Sequence, residues 1–178
     1  MTRDRTRYPA IPFIFLYDEV GNQVFTNAGQ FHTWDSAQTK STNFDYTLDK
    51  DRIYLNNNQY GFYEITFECS YVTYEEADIA VTSQIYKNGE AVEGAKVTSS
   101  VTGGASQTVE VTNCQSIHFI VYLSGQDYIQ VKTTTDNGGD TFSIAETSRV
   151  MIKWLPVKGW NNNAGGNEKT SYRGGVFR

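Results

Sequence analysis

The sequence predicts an all-β fold, an antiparallel sandwich or jelly roll of about ten short strands. Two observations lead to this prediction. Aromatic residues make up 14% of the 178 residues and proline occurs only 3 times, a composition that favours sheet over disorder. Apolar residues recur at every second position in several short segments, which is the period of a strand with one buried face. The length fits one domain, or one domain with arms.

The first strands follow from this alternation. The apolar segment at 11–16 is one strand, and residues 63–71 alternate strictly between apolar and polar. Residues 79–85 repeat the pattern and lead into the Asn-Gly pair at 88–89, a strong hairpin signal. The return strand of this hairpin is expected over 91–97.

The second half of the chain continues the pattern. Small residues at 99–106 predict a loop, and the valines at 109–111 a short strand. The segment 117–123 is nearly all apolar, which predicts a central strand covered on both faces. Further strands are expected at 128–133, 141–145 and 149–155.

Charge divides the chain into a basic arm at 1–10, a jelly-roll domain at 11–156 and a Gly- and Asn-rich arm at 157–178. The N-terminal ten residues carry +2, the C-terminal segment carries +3 and the body carries −10, within a net charge of −5. The arms are either solvated tails or extensions that bind an acidic neighbour, such as another copy. An overall acidic chain disfavours nucleic-acid binding.

The start of the chain and its cysteines indicate an intracellular product. No apolar stretch of signal-peptide type follows the basic first residues, and no Asn-X-Ser/Thr acceptor occurs, so we expect a cytoplasmic protein without a membrane segment. Cys69 and Cys114 are too few for a disulfide scaffold. Cys69 lies on the apolar face of its strand and is expected to be buried.

No catalytic motif is present, so we expect no enzymatic activity. The sequence lacks a Gly-X-Ser-X-Gly elbow, a P-loop and a His-Glu-X-X-His pair. His118 lies within an apolar strand and is expected to be a core or interface histidine. His32, beside Trp34 and Asp35, is a weak candidate for ligand binding.

Four carboxylates in predicted loops are candidates for ligand contact. They are Glu75, Asp78, Asp136 and Asp140. Solvated loop tips are the simpler interpretation, and a hairpin turn explains 136–140 as well as a Ca²⁺ site does, because the segment lacks the EF-hand pattern. We therefore expect neither metal nor cofactor.

Residues 43–67 resemble the signature of the globular head of complement C-one-q, a ten-strand jelly roll shared with tumour necrosis factor ligands. The matching positions are Asn43, Leu48, Gly61, Tyr63 and Phe67. Leu55 and Ile65 stand where Phe is usual, and Ala37 replaces the first Phe of the motif. Later stretches at 84–89, 123–131 and 148–155 extend the resemblance to roughly residues 30–155.

The resemblance implies a compact homotrimer with aromatic residues packed near the threefold axis. The chain has more aromatic residues than one small core requires, which agrees with a subunit interface, although ordinary partial burial explains any single one. Candidates for the trimer interface are Tyr60, Phe62, Tyr71, Tyr122 and Trp154.

Three functions are therefore considered. The first is a trimeric structural protein of a virion, made in the host cytoplasm, that decorates or cements a capsid of a phage or other virus through its arms. The second is a receptor- or glycan-binding head or fibre tip that uses loops at one end, and an enzyme ranks last. Candidates for arm anchoring are Arg3, Arg5, Arg7, Trp160, Arg173, Phe177 and Arg178.

Overall fold

A computed structural model describes residues 11–40, 44–46, 51–56, 60–73, 78–101, 113–136 and 141–156. These residues form strands and connecting turns, and among them there is no helix that could cross a membrane. Both arms and the strand expected at 109–111 lie outside them. The strands are β1 (Phe13–Tyr17), β2 (Val24–Phe25), β3 (Gln30–Phe31), β4 (Ser36–Lys40), β5 (Phe44–Tyr46), β6 (Ile53–Leu55), β7 (Gly61–Thr73), β8 (Ile79–Lys87), β9 (Glu90–Val101), β10 (Asn113–Leu123), β11 (Tyr128–Thr135), β12 (Thr141–Ser143) and β13 (Arg149–Leu155).

The strands form two antiparallel sheets. The first sheet has the order β2-β12-β7-β13-β1-β4, and β10 pairs with β7 along the edge that β13 leaves open. The second sheet has the order β5-β6-β11-β8-β9, and β3 pairs with β11. The prediction of an all-β jelly-roll sandwich is confirmed.

The hydrophobic core lies between the sheets. Ile65 and Phe67 on β7 face Val81 and Ile85 on β8, and all four are completely buried. Because side chains alternate along a strand, the residues between them point away from the core. The predicted burial of Cys69 is confirmed, and burial raises the pKa of its thiol to about 12.

Two predictions about strands are wrong. The segment 117–123 is not covered on both faces, because Ile120 remains 55% exposed; among the described strands, β10 pairs only with β7. Residues 99–101, expected in a loop, belong to β9, which continues to Val101 by pairing with β8, and the rest of the expected loop lies outside the described residues. Small Ser and Thr side chains are typical of loops, but here the partner strand β8 supplies the hydrogen bonds that hold this segment extended.

A polar cluster lies inside the core and includes two residues predicted for other roles. His32 is fully buried, with Nδ1 3.0 Å from Ser148 Oγ and Nε2 2.8 Å from Thr133 Oγ1. The Tyr71 hydroxyl lies 2.8 Å from Ser83 Oγ. Burial lowers the pKa of His32 to about 3. His32 is therefore a core residue without access to an external ligand, and the assignment of Tyr71 to a subunit interface is wrong because its ring is completely buried.

Candidate functional site

The outer face of the first sheet carries a group of exposed apolar side chains. It consists of every second residue of β10, β7, β13 and β1, which point away from the core. Strand register places these residues in rows across the sheet. Three rows are Tyr122–Phe62–Leu155, Ile120–Glu64–Lys153–Phe13 and His118–Thr66–Met151–Phe15.

At one end of this face the apolar residues form what we call the edge cluster, consisting of Tyr60, Phe62, Ile120 and Tyr122. Their exposed fractions are 39%, 38%, 55% and 38%. The rings of Phe62 and Tyr122 meet edge to face, with centroids 5.6 Å apart. The structure thus brings together three of the five residues predicted for a trimer interface. Ile120 was missed because its strand was expected to be buried on both faces.

Trp154, another predicted interface residue, belongs to the inward side of β13. It pairs with Tyr63 and packs partly buried against the core. Its indole also lies against the start of β7, since a Cβ added at Gly61 would be 2.7 Å from Trp154 Nε1. Trp154 therefore packs at the end of the core, against the backbone that connects Tyr60 and Phe62 of the edge cluster.

Two carboxylates on the outer face, Glu64 and Glu68, have partners within the subunit. Arg149 Nε lies 2.6 Å from Glu68 Oε2, and His118 Nε2 contacts Glu64 Oε1. The alternative of a core position for His118 is wrong, because its side chain is 65% exposed. Each carboxylate thus has a partner within the subunit, so a second copy can cover the face without leaving these charges buried and unpaired.

A shallow hollow of about 170 Å³ interrupts the same face. It is lined by Phe15, Thr66, Glu68, Arg149 and Met151. Phe15 and Met151 supply apolar walls, and the Arg149–Glu68 pair supplies a polar rim. The hollow can receive an apolar side chain from a partner.

Comparison with known proteins bears on the fold. No protein-family model matches the chain, and no curated protein is similar to it in sequence. The structure is similar to that of Eiger TNF from S. frugiperda, with a TM-score of 0.56 over 82% of this chain and 93% of that one, at 12% sequence identity. The chain has a TNF-like jelly-roll fold. The predicted resemblance to tumour necrosis factor ligands is therefore confirmed at the level of fold.

Two of the carboxylates predicted to contact ligands, Asp78 and Asp136, lie at the opposite end of the TNF-like jelly roll from the edge cluster. Asp136 is exposed and accepts a hydrogen bond of 2.9 Å from the backbone N–H of Ala80. Asp78 is also exposed, next to the start of β8, whereas Glu75 and Asp140 lie outside the described residues. Among the residues the structure describes, no group of three or more His, Cys, Asp or Glu is placed to hold a metal ion.

Several residues of the outer face were not identified from the sequence. Phe13, Phe15 and Met151 occupy it beside the edge cluster. The alternation of their strands was visible in the sequence, but alternation does not say which set of residues faces the core. Only the pairing of β1 with β13 and of β13 with β7 assigns these side chains to one surface.

Proposed function

We propose that this chain is a non-enzymatic, homotrimeric head domain whose copies pack through the outer face of the first sheet. The observation that carries the proposal is the edge cluster, whose four large side chains are each at least 38% exposed. Aromatic and aliphatic residues gathered on one surface are typical of a protein–protein interface. Packing against a second copy would also cover β10, which among the described strands pairs only with β7.

The likeness to a TNF and the resemblance to the complement C-one-q head support three copies. Both imply a compact trimer with aromatic residues near its axis. In a closed ring of three, one surface of each subunit binds a different surface of the next subunit. Because the ring closes, no further copies can be added. The edge cluster and the hollow lined by Phe15 and Met151 are two such surfaces on one face.

The mass of the intact chain in solution tests this proposal. We expect three times 20.1 kDa by light scattering and native mass spectrometry. Ile120→Lys and Phe62→Glu are each expected to produce a monomer, because an unpaired charge buried in an interface costs roughly 3–5 kcal/mol. Both side chains point away from the core, so the variants should retain the wild-type circular dichroism spectrum.

Val20→Lys is the matched control. Val20 is 70% exposed and lies after β1, outside the outer face of the first sheet. This variant is expected to remain trimeric. A monomeric wild-type chain, or dissociation caused equally by Val20→Lys, would contradict the proposed interface.

We also propose that the arms attach the trimer to a larger assembly, such as a capsid or other virion surface, with synthesis in the host cytoplasm. One observation supports joint action of the arms. Phe13 pairs with Lys153, and the backbone N–H of Trp154 donates a 2.9 Å hydrogen bond to the Pro12 carbonyl. The first and last described strands therefore begin and end at the same end of the jelly roll. Two net basic segments joined there can contact one acidic surface.

A further inference from the structure

The outer face of the second sheet carries four aromatic rings from four strands. Phe31 on β3, Tyr54 on β6, Tyr86 on β8 and Tyr128 on β11 are each partly exposed. Tyr54 and Tyr128 are cross-strand partners with ring centroids 5.3 Å apart, and Phe31 meets Tyr86 edge to face at 5.5 Å. We call these four residues the ring face.

Two cations lie over these rings. The Arg52 guanidinium is 5.2 Å from the centroid of the Tyr128 ring, and Lys132 Nζ is 5.7 Å from the centroid of Phe31. Cations at this distance from an aromatic face are attracted by the ring quadrupole. The rings therefore hold positive charge at the surface, where it can pair with an anion.

Two lysines on this face lie in one row across the strands, on either side of Gln84. Lys96 is exposed on β9 opposite Gln84 and adds a third cation. Asp51 is a nearby carboxylate, and one of its oxygens accepts a 2.8 Å hydrogen bond from Gln130. Asp45, opposite Tyr54, and Glu93, on β9, are further acidic residues, so the cations do not outnumber the acidic residues over the whole face. The row Lys96–Gln84–Lys132 brings two lysines together and is the part of the face that suits an anion.

The remaining outward side chains of β8 and β11 are polar or small. Gln84 and Thr82 on β8 lie beside Lys132 and Thr134 on β11. The largest aliphatic side chain that points outward from β8 and β11 is that of Ala80. The outer face of the first sheet differs, because it contains Ile120, Met151 and Leu155. The two faces thus suit different partners: the first suits another protein surface, and the second offers rings, amides, hydroxyls and cations.

This combination matches the chemistry of a charged sugar. The apolar C–H face of a sugar ring packs on an aromatic ring, its hydroxyls bond to amides and Thr hydroxyls, and a carboxylate or sulfate pairs with Arg or Lys. Nucleic acid fits less well, because Gln84, Thr82 and Thr134 give the centre of this face more amides and hydroxyls than cations. A polymer of hydroxylated rings bonds to such groups more fully than a phosphate backbone does. We propose that the ring face binds an anionic polysaccharide, at a surface separate from the proposed subunit interface.

Binding of the intact chain to immobilised polysaccharides tests this inference. Hyaluronan presents carboxylates, heparin presents mainly sulfates, and dextran is a neutral control. We expect binding to hyaluronan or heparin, little binding to dextran, and weakening as salt rises because exposed charges are screened. The stronger of the two anionic probes identifies the preferred anion.

Two variants assign the binding to the ring face. Lys132→Gln and Tyr86→Ala are each expected to weaken binding about tenfold or more. Lys153→Gln removes a lysine from the outer face of the first sheet and is expected to leave binding unchanged. If Tyr86→Ala lowers the melting temperature, its loss of binding cannot be assigned to the ring face, and Lys132→Gln is the deciding variant. The Lys132 side chain lies outside the core, so this variant should remain folded.

The native mass of each variant is measured in parallel. Loss of binding with an unchanged mass supports the ring face whatever the oligomeric state, so this outcome is separate from that of the trimer proposal. Three results would overturn the inference: no binding to either anionic polysaccharide, equal weakening by Lys153→Gln, or tighter binding to single-stranded DNA than to both polysaccharides.

Discussion

A single buried histidine shows how side-chain chemistry is set by its surroundings. The His32 ring stacks on Trp34 at a centroid distance of 5.7 Å, and its nitrogens contact the hydroxyls of Ser148, Thr133 and Tyr71. A neutral imidazole has one donor and one acceptor, and hydroxyls can serve both. The cluster therefore satisfies both nitrogens of neutral His32, and burial away from water disfavours the charged form.

Acid should destabilise the domain through His32. The pKa of His32 is about 3 in the folded chain and about 6.5 when unfolded. The unfolded state takes up a proton first, so the contribution is complete above about 6.5 and is lost as pH falls towards 3, at up to about 1.4 kcal/mol per pH unit. Urea unfolding of wild type and His32→Gln between pH ~7.5 and ~4 measures it. We expect a shallower acid slope for the variant, and parallel curves would contradict this.

Asp127 also loses its contribution to stability in acid, but at a lower pH than His32. Burial disfavours its charge, but hydrogen bonds from Asn88, the Ser124 N–H and Lys87 outweigh this and lower its pKa to about 2. Asp127→Asn should cost about 1–3 kcal/mol near neutral pH. The difference should shrink as pH falls below about 4 towards 2, because the wild-type carboxyl then becomes protonated. Glu93→Gln, an exposed control, should change the free energy of unfolding by less than about 0.5 kcal/mol.

At the scale of the element, the start of β7 depends on glycine. Gly61 has φ +148°, and a Cβ there would lie 2.7 Å from Trp154 Nε1. The same residue connects Tyr60 to Phe62, so it positions half of the edge cluster. Backbone conformation and close packing both select glycine at this position.

Gly61→Ala should therefore destabilise the domain by about 1–3 kcal/mol. Trp154→Phe removes the indole nitrogen that the new methyl group would meet. A double-mutant cycle should show that Gly61→Ala costs less in the Trp154→Phe background. Additive free energies of unfolding would mean that backbone strain alone explains the effect.

At the scale of the whole molecule, the fold separates three surfaces. The outer face of the first sheet offers apolar groups, the ring face of the second sheet offers rings and cations, and one end of the sandwich joins both arms. Because the two outer faces lie on opposite sides of one core, a trimer can form through the first while the second stays accessible. This arrangement suits a head that is both assembled and attached.

Removal of residues 1–10 and 157–178 tests the role of the arms. The truncated chain should keep its trimeric mass and its melting temperature, because the two sheets and the edge cluster lie within residues 11–156. It should no longer co-sediment with its native assembly, and cross-linking on that assembly measures any trimer that forms only there. Undiminished attachment of the truncated chain would contradict anchoring by the arms.

The sequence by itself determined the fold class, most strands and the burial of Cys69, because alternation and turn residues are local properties of the chain. It also identified Tyr60, Phe62 and Tyr122 as a group. Only the tertiary structure decided that β10 pairs with β7 alone among the described strands. Alternation defines two faces of a strand but does not identify the sheet edge or which face packs on a second sheet. Tyr71 and Phe62 lie at odd and even positions of β7 and therefore have opposite positions: Tyr71 faces the core with Cys69, and Phe62 faces solvent.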